Sequence, residues 1–316
     1  MRAVVVGGGL AGITAALDLA DAGSEVTLLE VRTRLGGAAY SFEREGLEID
    51  NGQHVFLRCC TEYRALLRRL GVEGSTVLQE RLSIPVLAPG GRSGTIARTA
   101  LPSPLHLARS LLTYPFLTAG ERVRAAATAR ALSKLDLDDP SLDERTFADW
   151  LASRGESAAA IDSLWNLIAL PTVNLPAERA SLAMAVKVFQ TGLLEHADAG
   201  DVGYSRVPLS KLHAEPAERT LQAAGVDVRL KARVQALRPG VEVESDAGTL
   251  QADVAVVAVP HERAAGMLPA AALEEPIERL GSSPIVNGHV IYDRRVTDHP
   301  FAASVGTPVQ WLFDRT

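Results

Sequence analysis

Three glycines near the start of the chain have the spacing of a phosphate-binding turn. Gly7, Gly9 and Gly12 form a Gly-x-Gly-x-x-Gly pattern directly after the apolar run Arg2–Val6. The first glycine permits a tight turn, the second lets the backbone approach a pyrophosphate, and the third lets a helix pack closely on a strand. The phosphates would lie at the N-terminus of that helix, where free N–H groups attract anions. The pattern predicts a dinucleotide site, and the competing interpretation is an ordinary turn between a strand and a helix.

An acidic residue and a second glycine pair follow at suitable distances. Glu30 ends the apolar run Glu25–Glu30, and a carboxylate at that point accepts hydrogen bonds from a ribose. Because a carboxylate repels a 2′-phosphate, Glu30 argues against NADP. The stretch Arg32–Gly37 adds two arginines and a glycine pair, which would bring positive charge and close backbone approach to a pyrophosphate. The competing interpretation of this stretch is a basic loop with a turn.

The glycine turn requires a strand before it and a helix after it. Arg2–Val6 is β-branched and apolar, which is typical of a strand buried on both faces. Ala11–Ala22 predicts a helix that ends at Gly23, and Glu25–Glu30 predicts a second strand. Together they form a βαβ unit.

The rest of the chain predicts a second domain inserted into the first. Strand patterns return near position 205 and include Val254–Val259, which we predict to be buried, and Asn287–Tyr292. Before position 205, from Pro102 to about Ala197, prolines divide a Leu- and Ala-rich region into short helices. We predict one domain from residues 1–85 plus 205–285, and a second from residues 86–204 plus 286–316.

The composition narrows the class of protein. The 316 residues are 47% hydrophobic and 22% charged, with a net charge of −6, as in ordinary soluble globular proteins. The negative charge argues against nucleic acid as a partner, because phosphate binding needs a basic surface. The adjacent Cys59 and Cys60 and the seven scattered histidines have no metal-ligand spacing, so we predict no metal site.

The apolar segments bear on localisation. A run of about 18 apolar residues, as a membrane-spanning helix needs, does not occur in the sequence. The apolar start of the chain continues into the glycine turn, which argues against a secretory signal and for a cytoplasmic protein. The segment Leu105–Thr118 is apolar but contains Pro115. Two interpretations of it remain open: a contact with the membrane interface at the inner face of the cell membrane, or a core helix of the insertion.

The glycine series, Glu30 and the Arg34/Gly36/Gly37 stretch resemble the opening of the flavin amine oxidase and phytoene desaturase superfamily. The resemblance implies FAD as cofactor and an α/β fold with a Rossmann-like FAD-binding domain and an inserted α+β, helix-rich substrate domain. The motifs and the resemblance together assign these cofactor-binding residues: Gly7, Gly8, Gly9, Leu10, Ala11, Gly12, Glu30, Val31, Arg32, Arg34, Gly36, Gly37, Asn51, Gly52, Gln53, His54 and Val234. For Val234, a contact with the adenine competes with a role as an ordinary strand valine.

A narrower resemblance follows from Ile49–His54, Trp165-Asn166 and Leu170–Pro176. These spans are similar to the squalene-associated FAD-dependent desaturases, the hydroxysqualene dehydroxylase family. The resemblance implies an apolar C30 isoprenoid substrate: reduced FAD would deliver a hydride to hydroxysqualene as its hydroxyl leaves as water, giving squalene for hopanoid or carotenoid synthesis. Three alternatives remain open: a carotenoid desaturase, a flavin amine oxidase relative, and an inactive remnant that binds nucleotide weakly.

His54 is the candidate catalytic residue, because both protonation states of an imidazole are accessible near neutral pH. In one interpretation it gives a proton to the leaving hydroxyl, and in the other it only orients the Asn51-Gly52 turn by hydrogen bonding.

Members of the superfamily close the FAD domain with a C-terminal segment beside the flavin. The sequence ends at Thr316 without a stretch of this kind. We therefore expect the chain by itself to hold FAD weakly, to aggregate and to turn over little substrate, or to need a complementing chain.

Overall fold

The structure is a computed structural model that describes residues 1–269, 272, 277 and 280–315. Residues 270–271, 273–276, 278–279 and 316, which belong to the two predicted domains, lie outside the described residues. The chain divides into two compact units. The first contains Met1–His54, Thr61–Val77 and Tyr204–Ser282, and the second contains Val55–Cys60, Leu78–Gly203 and Ser283–Thr316.

The strands are numbered along the chain as β1 Arg2–Val6, β2 Glu25–Glu30, β3 Ser41–Arg44, β4 Leu47–Asp50, β5 Val55–Leu57, β6 Thr76–Leu78, β7 Ser83–Leu87, β8 Ser93–Ala97, β9 Val202–Ser205, β10 Asp227–Leu230, β11 Val234–Arg238, β12 Glu242–Ser245, β13 Gly248–Gln251, β14 Val254–Val257, β15 Phe301–Ser304 and β16 Trp311–Phe313. The α-helices are α1 Leu10–Asp21, α2 Thr61–Arg69, α3 Ala108–Thr113, α4 Ala119–Leu132, α5 Phe147–Ser153, α6 Ala158–Ala160, α7 Asn166–Val173, α8 Leu182–Phe189, α9 Glu215–Ala223 and α10 His261–Met267. Single π-helical turns cover Ile161–Trp165, Gln190–Leu194 and Ser210–Ala214.

A parallel sheet of order β10-β2-β1-β14 forms the centre of the first unit. Successive side chains of β1 point to opposite faces, as a strand requires. Ala3 and Val5 belong to a core that contains α1 and α9 residues. Val4 and Val6 pack instead against residues of the antiparallel sheet β11-β12-β13. Because both faces of β1 are covered, an uninterrupted apolar run is the sequence that suits it.

The second unit contains α3 to α8 and a mixed sheet of order β16-β15-β7-β8. Its helices pack around an aromatic cluster in which Phe147 lies 5.9 Å from Trp165 and 5.5 Å from Phe189, measured between ring centroids. Asp201 is fully buried and joins distant segments: its carboxylate accepts hydrogen bonds from Arg98 Nε at 2.6 Å, Arg58 Nε at 2.9 Å and the Leu82 N–H at 2.7 Å.

Two sequence predictions differ from the structure. The strand predicted at Asn287–Tyr292 is wrong: in the described chain this segment belongs to no strand, and Val290 and Ile291 are 70% and 72% exposed. Alternating apolar residues favour a strand, but only pairing with a neighbour forms one. The predicted strand Val254–Val259 ends at Val257, and β14 is only partly buried.

The segment Leu105–Thr118 combines features of both interpretations. Leu105 and Leu112 are 55% and 65% exposed, whereas Tyr114 and Leu117 are buried. Tyr114 and Leu117 therefore belong to the core of the second unit, whereas Leu105 and Leu112 are presented to the surface.

Candidate functional site

The glycine turn lies at the carboxyl end of β1, between β2 and β14. Gly7 has a φ of +107°, and its N–H donates to the Leu29 carbonyl at 2.8 Å. A Cβ at this position would overlap the Ala258 carbonyl oxygen. Both the positive φ and the close approach of the neighbouring strand therefore require glycine here.

Gly12 and Gly9 are glycines for different reasons. A Cβ on Gly12 would overlap the Gly7 carbonyl oxygen, so Gly12 is needed for α1 to pack against the turn. Gly9, by contrast, has extended backbone, and a Cβ there would meet only the Gly37 Cα, at an ordinary 3.8 Å. The packing of the protein therefore leaves room for a side chain at Gly9 and does not by itself require glycine there.

The second glycine pair touches the first turn. The Gly36 N–H donates to the Gly8 carbonyl at 2.9 Å. Gly37 has a φ of +58°, and a Cβ there would come 2.8 Å from the Gly9 Cα. The two glycine motifs, which are separated by more than twenty residues in the sequence, thus form one continuous backbone surface.

Glu30 has a structural role that the sequence did not reveal. Its side chain is buried, and its two carboxylate oxygens accept hydrogen bonds from the N–H groups of Gly8 and Arg32, each at 2.6 Å. A carboxylate oxygen has a second lone pair, so Glu30 retains capacity to accept a ribose hydroxyl. Glu30 therefore fixes the glycine turn to the end of β2 as well as offering an acceptor.

Arg34, predicted to meet a pyrophosphate, braces the second glycine turn. One terminal nitrogen donates to the carbonyls of Leu35 and Gly37, both at 3.1 Å. The guanidinium carbon lies 3.9 Å from the centre of the Tyr40 ring, a cation–π contact. Burial lowers the pKa of Arg34, which nevertheless stays charged.

Asn51 connects the Asn-Gly-Gln-His stretch to this loop. Its Nδ2 donates to the Ala38 carbonyl at 2.8 Å, and its Oδ1 accepts from the Tyr40 N–H at 3.2 Å. Gly52 is buried, and Gln53 donates to the His54 carbonyl at 3.2 Å. The Asn51 turn is therefore held by the amide of Asn51 itself.

His54 lies at the end of this stretch with an accessible side chain. Partial removal from water lowers the pKa of His54 below its ordinary 6.5, and the nearby Asp50 carboxylate opposes the shift. The ring therefore takes up a proton at a lower pH than a free imidazole does.

Sequence reasoning missed the hydrogen bonds of three side chains of the first unit: Asp50, Tyr63 and His213. Asp50 accepts hydrogen bonds from Ser41 Oγ at 2.7 Å and from the Leu209 N–H at 2.9 Å. Tyr63 Oη lies 2.8 Å from His213 Nε2, in a pair that is separated by 150 positions in the sequence. No local sequence pattern predicts a pair of this kind.

Val234, the first residue of β11, is 8% exposed and packs in the core with Val4 and Val6. Two residues earlier, the Ala232 N–H donates to the Glu30 carbonyl at 2.9 Å. The backbone before Val234 is thus adjacent to the end of β2, and the contact predicted with an adenine stays a prediction.

These residues fit a dinucleotide at one place. The glycine turn, Glu30 and the second glycine pair meet at the carboxyl ends of β1 and β2, where open parallel sheets bind ligands. Gly9 caps α1 without any side-chain hydrogen bond, so the helix presents its N-terminus and open space together. Among the described residues, no group of three His, Cys, Asp or Glu side chains is arranged to hold a metal ion.

A pocket of about 610 Å³ lies elsewhere, in the second unit. It is lined by α7 and the β15–β16 turn, with Leu170, Pro171 and Trp311 beside the carboxylates Asp162 and Glu178. It contains none of the predicted site residues.

Known proteins resemble nearly the whole chain. The family described as flavin containing amine oxidoreductase matches residues 10–315. Zeta-carotene desaturase of Solanum lycopersicum is 31% identical over 201 residues, which are 60% of this chain and 34% of that protein. Hydroxysqualene dehydroxylase of Sinorhizobium fredii is 28% identical over 322 residues, which are 98% of this chain and 72% of that protein. The match covers about a third of the length of the carotene desaturase.

A solved structure shows the same fold. An oxidoreductase from Methanosarcina mazei superposes with a TM-score of 0.63 at 18% identity, over 87% of this chain and 62% of that chain. Within the described residues, no helix is both long enough and apolar enough to cross a membrane.

Proposed function

Since the chain belongs to the flavin-containing amine oxidoreductase family, whose cofactor is FAD, we propose that it is an oxidoreductase that converts hydroxysqualene to squalene. The observation that carries this proposal is the similarity to a hydroxysqualene dehydroxylase over 98% of the chain. The motif Ile49–His54, whose Asn51 is hydrogen-bonded to the loop of the second glycine pair, supports it.

Bound FAD supplies hydride transfer in proteins of this kind. In this chain, the N-terminus of α1 and the backbone of Gly9 would hold the pyrophosphate, and Glu30 would accept a ribose hydroxyl. Arg34 would keep the second glycine turn in the conformation that closes around the cofactor. Val234 would lie by the adenine.

The proposed reaction replaces a hydroxyl by hydrogen, so the leaving oxygen needs one proton to depart as water. We assign that proton to His54. Because the pKa of His54 lies below its ordinary value, the protonated form is a stronger acid than a free imidazolium. Activity that depends on it should be highest at mildly acidic pH and fall as the pH rises through the lowered pKa.

A carotenoid desaturase is the second candidate, supported by the 31% identity to zeta-carotene desaturase. Desaturation removes hydrogen and expels no hydroxyl, so it needs no proton for a leaving group. A His54→Gln variant therefore separates the two: it should impair dehydroxylation far more than desaturation.

The test is a pair of anaerobic and aerobic assays on the purified, FAD-reconstituted chain. With a chemical reductant and hydroxysqualene, we expect squalene by mass spectrometry. With phytoene or zeta-carotene and an electron acceptor, we expect no added double bond. Desaturated product without squalene would overturn the proposal in favour of the second candidate, and His299→Gln, at an exposed histidine, serves as the control for His54→Gln.

We further propose a peripheral contact with the inner face of a membrane, through the exposed Leu105 and Leu112. An apolar isoprenoid would be supplied from that phase. Co-sedimentation with phospholipid vesicles should fall in a Leu105→Ser/Leu112→Ser variant, and equal sedimentation of variant and parent would reject the contact.

A further inference from the structure

One stretch of the second unit is strongly basic, although the chain as a whole is acidic. Residues 81–130 contain seven arginines, no lysine and a single carboxylate, that of Glu121, so their net charge is +6. Because the whole chain carries −6, the remaining residues together carry −12. All of residues 81–130 belong to the second unit. This stretch therefore has a charge opposite to that of the rest of the chain.

The positive charge of this stretch is largely uncompensated by carboxylates. Arg92, Arg122 and Arg124 donate hydrogen bonds to backbone carbonyls, and a carbonyl orients a guanidinium without cancelling its charge. Across the described part of the chain, the one arginine of the stretch that forms an ion pair is Arg98, whose partner is the buried Asp201. The stretch is therefore able to attract an anionic partner.

The helix α3 presents leucines and an arginine on its exposed face. The buried Ser110 marks the other face, because its Oγ accepts a hydrogen bond from the Ala97 N–H of β8 at 2.6 Å. Leu105, in the 3₁₀ turn that precedes α3, and Arg109 and Leu112 are all exposed and have the spacing i, i+4 and i+7. This spacing places the three side chains in a row along one side of the helix. The leucines and Arg109 therefore lie on the side turned away from β8.

A second arginine is fixed at the end of this row. Arg122 of α4 donates from Nη1 to the Leu112 carbonyl at 2.7 Å and from Nε to the Leu117 carbonyl at 3.0 Å. The guanidinium of Arg122 therefore lies at the carboxyl end of α3, beside Leu112. We call Leu105, Arg109, Leu112 and Arg122 the α3 surface. It combines two exposed apolar side chains with two guanidinium groups.

We propose that the α3 surface binds phospholipid bilayers with anionic headgroups, with the leucines in the membrane interface and Arg109 and Arg122 at the lipid phosphates. Surfaces that combine leucines with basic side chains bind anionic bilayers in this way, and the planar donors of a guanidinium suit phosphate oxygens. Because the rest of the chain is acidic and is repelled by such a bilayer, the basic stretch also orients the protein on it. This inference deepens the proposed membrane contact and rests on it; it adds the charge of the headgroup as the property that is recognised.

The test is co-sedimentation of the full-length chain with two kinds of phospholipid vesicle. One contains phosphatidylcholine alone, and the other contains about one third phosphatidylglycerol, which is anionic. We expect the anionic vesicles to bind at least about tenfold more tightly, since each arginine near an anionic surface contributes about fivefold. This advantage should disappear in about 0.5 M NaCl, because salt screens the charges.

A charge-reversed variant tests whether the α3 surface is responsible. Arg109 is exposed, so Arg109→Glu should fold with unchanged circular dichroism. It should weaken binding to the anionic vesicles by more than about fivefold and leave binding to the neutral vesicles unchanged. Arg44→Glu is the matched control: it makes the same change in net charge at an exposed arginine of the first unit and should bind like the wild type.

Three results would overturn the inference. Equal binding of wild type to neutral and anionic vesicles would reject the role of headgroup charge and leave the leucine contact standing, whereas binding to neither vesicle would reject both. Equal losses in Arg109→Glu and Arg44→Glu would mean that net charge acts, and not the α3 surface. Binding of a DNA duplex in place of the anionic vesicles would assign the surface to nucleic acid. None of these measurements uses turnover, so failure of the proposed reaction is detected separately, in the squalene assay.

Discussion

Each unit contains a buried carboxylate that joins separate segments, and the two carboxylates are stabilised in opposite ways. Glu30 in the first unit accepts hydrogen bonds from the backbone N–H groups of Gly8 and Arg32. Asp201 in the second unit is bound by the guanidinium groups of Arg58 and Arg98. Across the described part of the chain, no ion pair involves Glu30.

The difference lies in what holds each carboxylate: neutral backbone amides hold Glu30, and charged arginine side chains hold Asp201. Burial alone would raise the pKa of Asp201, but hydrogen bonds from Arg98, Arg58 and the Leu82 N–H outweigh burial and place it below the ordinary value. The negative charge of Asp201 is thereby balanced by arginine side chains within the protein. The described hydrogen bonds of the Glu30 carboxylate come from neutral backbone amides, and our proposal is that the carboxylate also accepts a ligand hydroxyl at the edge of the glycine turn.

The largest expected effect is on stability. Asp201→Asn leaves the partly buried Arg58 and Arg98 without their fully buried anion, and breaking a buried ion pair costs about 3–5 kcal/mol. Urea unfolding should show this loss. Asp198→Asn is the matched control. The exposed Asp198 carboxylate lies 3.6 Å from Arg58 Nε, and losing an exposed ion pair of this kind should lower the free energy of unfolding by at most about 1 kcal/mol. Equal losses in the two variants would mean that the Asp201 network is not a structural centre.

The next effect is on cofactor affinity. Glu30→Ala removes the proposed ribose acceptor and also the two hydrogen bonds that hold the glycine turn. A charged hydrogen bond contributes about 1.5–3 kcal/mol, so the Kd for FAD should rise by at least roughly 10- to 150-fold. Glu25→Ala, at an exposed position of the same strand, should leave the Kd unchanged. Fluorescence titration measures both. If the two variants weaken FAD alike, Glu30 acts through the stability of β2.

The smallest expected effect is a loss of folding stability at acidic pH. The pKa of His213 is lowered from 6.5 to about 4 in the folded chain. As the pH is lowered, the unfolded chain therefore protonates this histidine before the folded chain does, and stability falls below about pH 6.5. The loss reaches about 2 kcal/mol by pH 5. His213→Gln should lack this slope. The contribution of Asp201, whose pKa is lowered from 3.8, is present above that value and lost only as the pH falls through the lower pKa. Parallel pH profiles for wild type and His213→Gln would contradict this assignment.

Much of the first unit could be predicted because its determinants are local. The bounds of β1 and β2 match the prediction, since a glycine turn and a terminal Glu30 mark where each strand ends. The sequence could not show that packing requires glycine at position 12 but not at position 9. This difference depends on which atoms a Cβ at each position would meet.

The missed features depend on contacts between distant positions. The Tyr63–His213 bond and the Asp201 network each join segments that are more than 100 positions apart. Asn287–Tyr292 shows the reverse error, because its local alternation favours a strand while the described structure gives it no pairing. Local sequence patterns predict sites that the backbone of neighbouring residues forms. Networks of side chains from distant positions can be identified only when the fold is known.

The most direct test of the cofactor assignment is FAD binding by Gly9→Ala. The added methyl group would meet only the Gly37 Cα at 3.8 Å, so the chain should fold with unchanged circular dichroism and thermal midpoint. It would, however, occupy the space beside the N-terminus of α1 that the pyrophosphate needs. Gly120→Ala, in α4 with nothing within 4 Å of the new Cβ, is the matched control. The account predicts that folded Gly9→Ala loses FAD while Gly120→Ala keeps it; wild-type flavin affinity in Gly9→Ala would contradict the account.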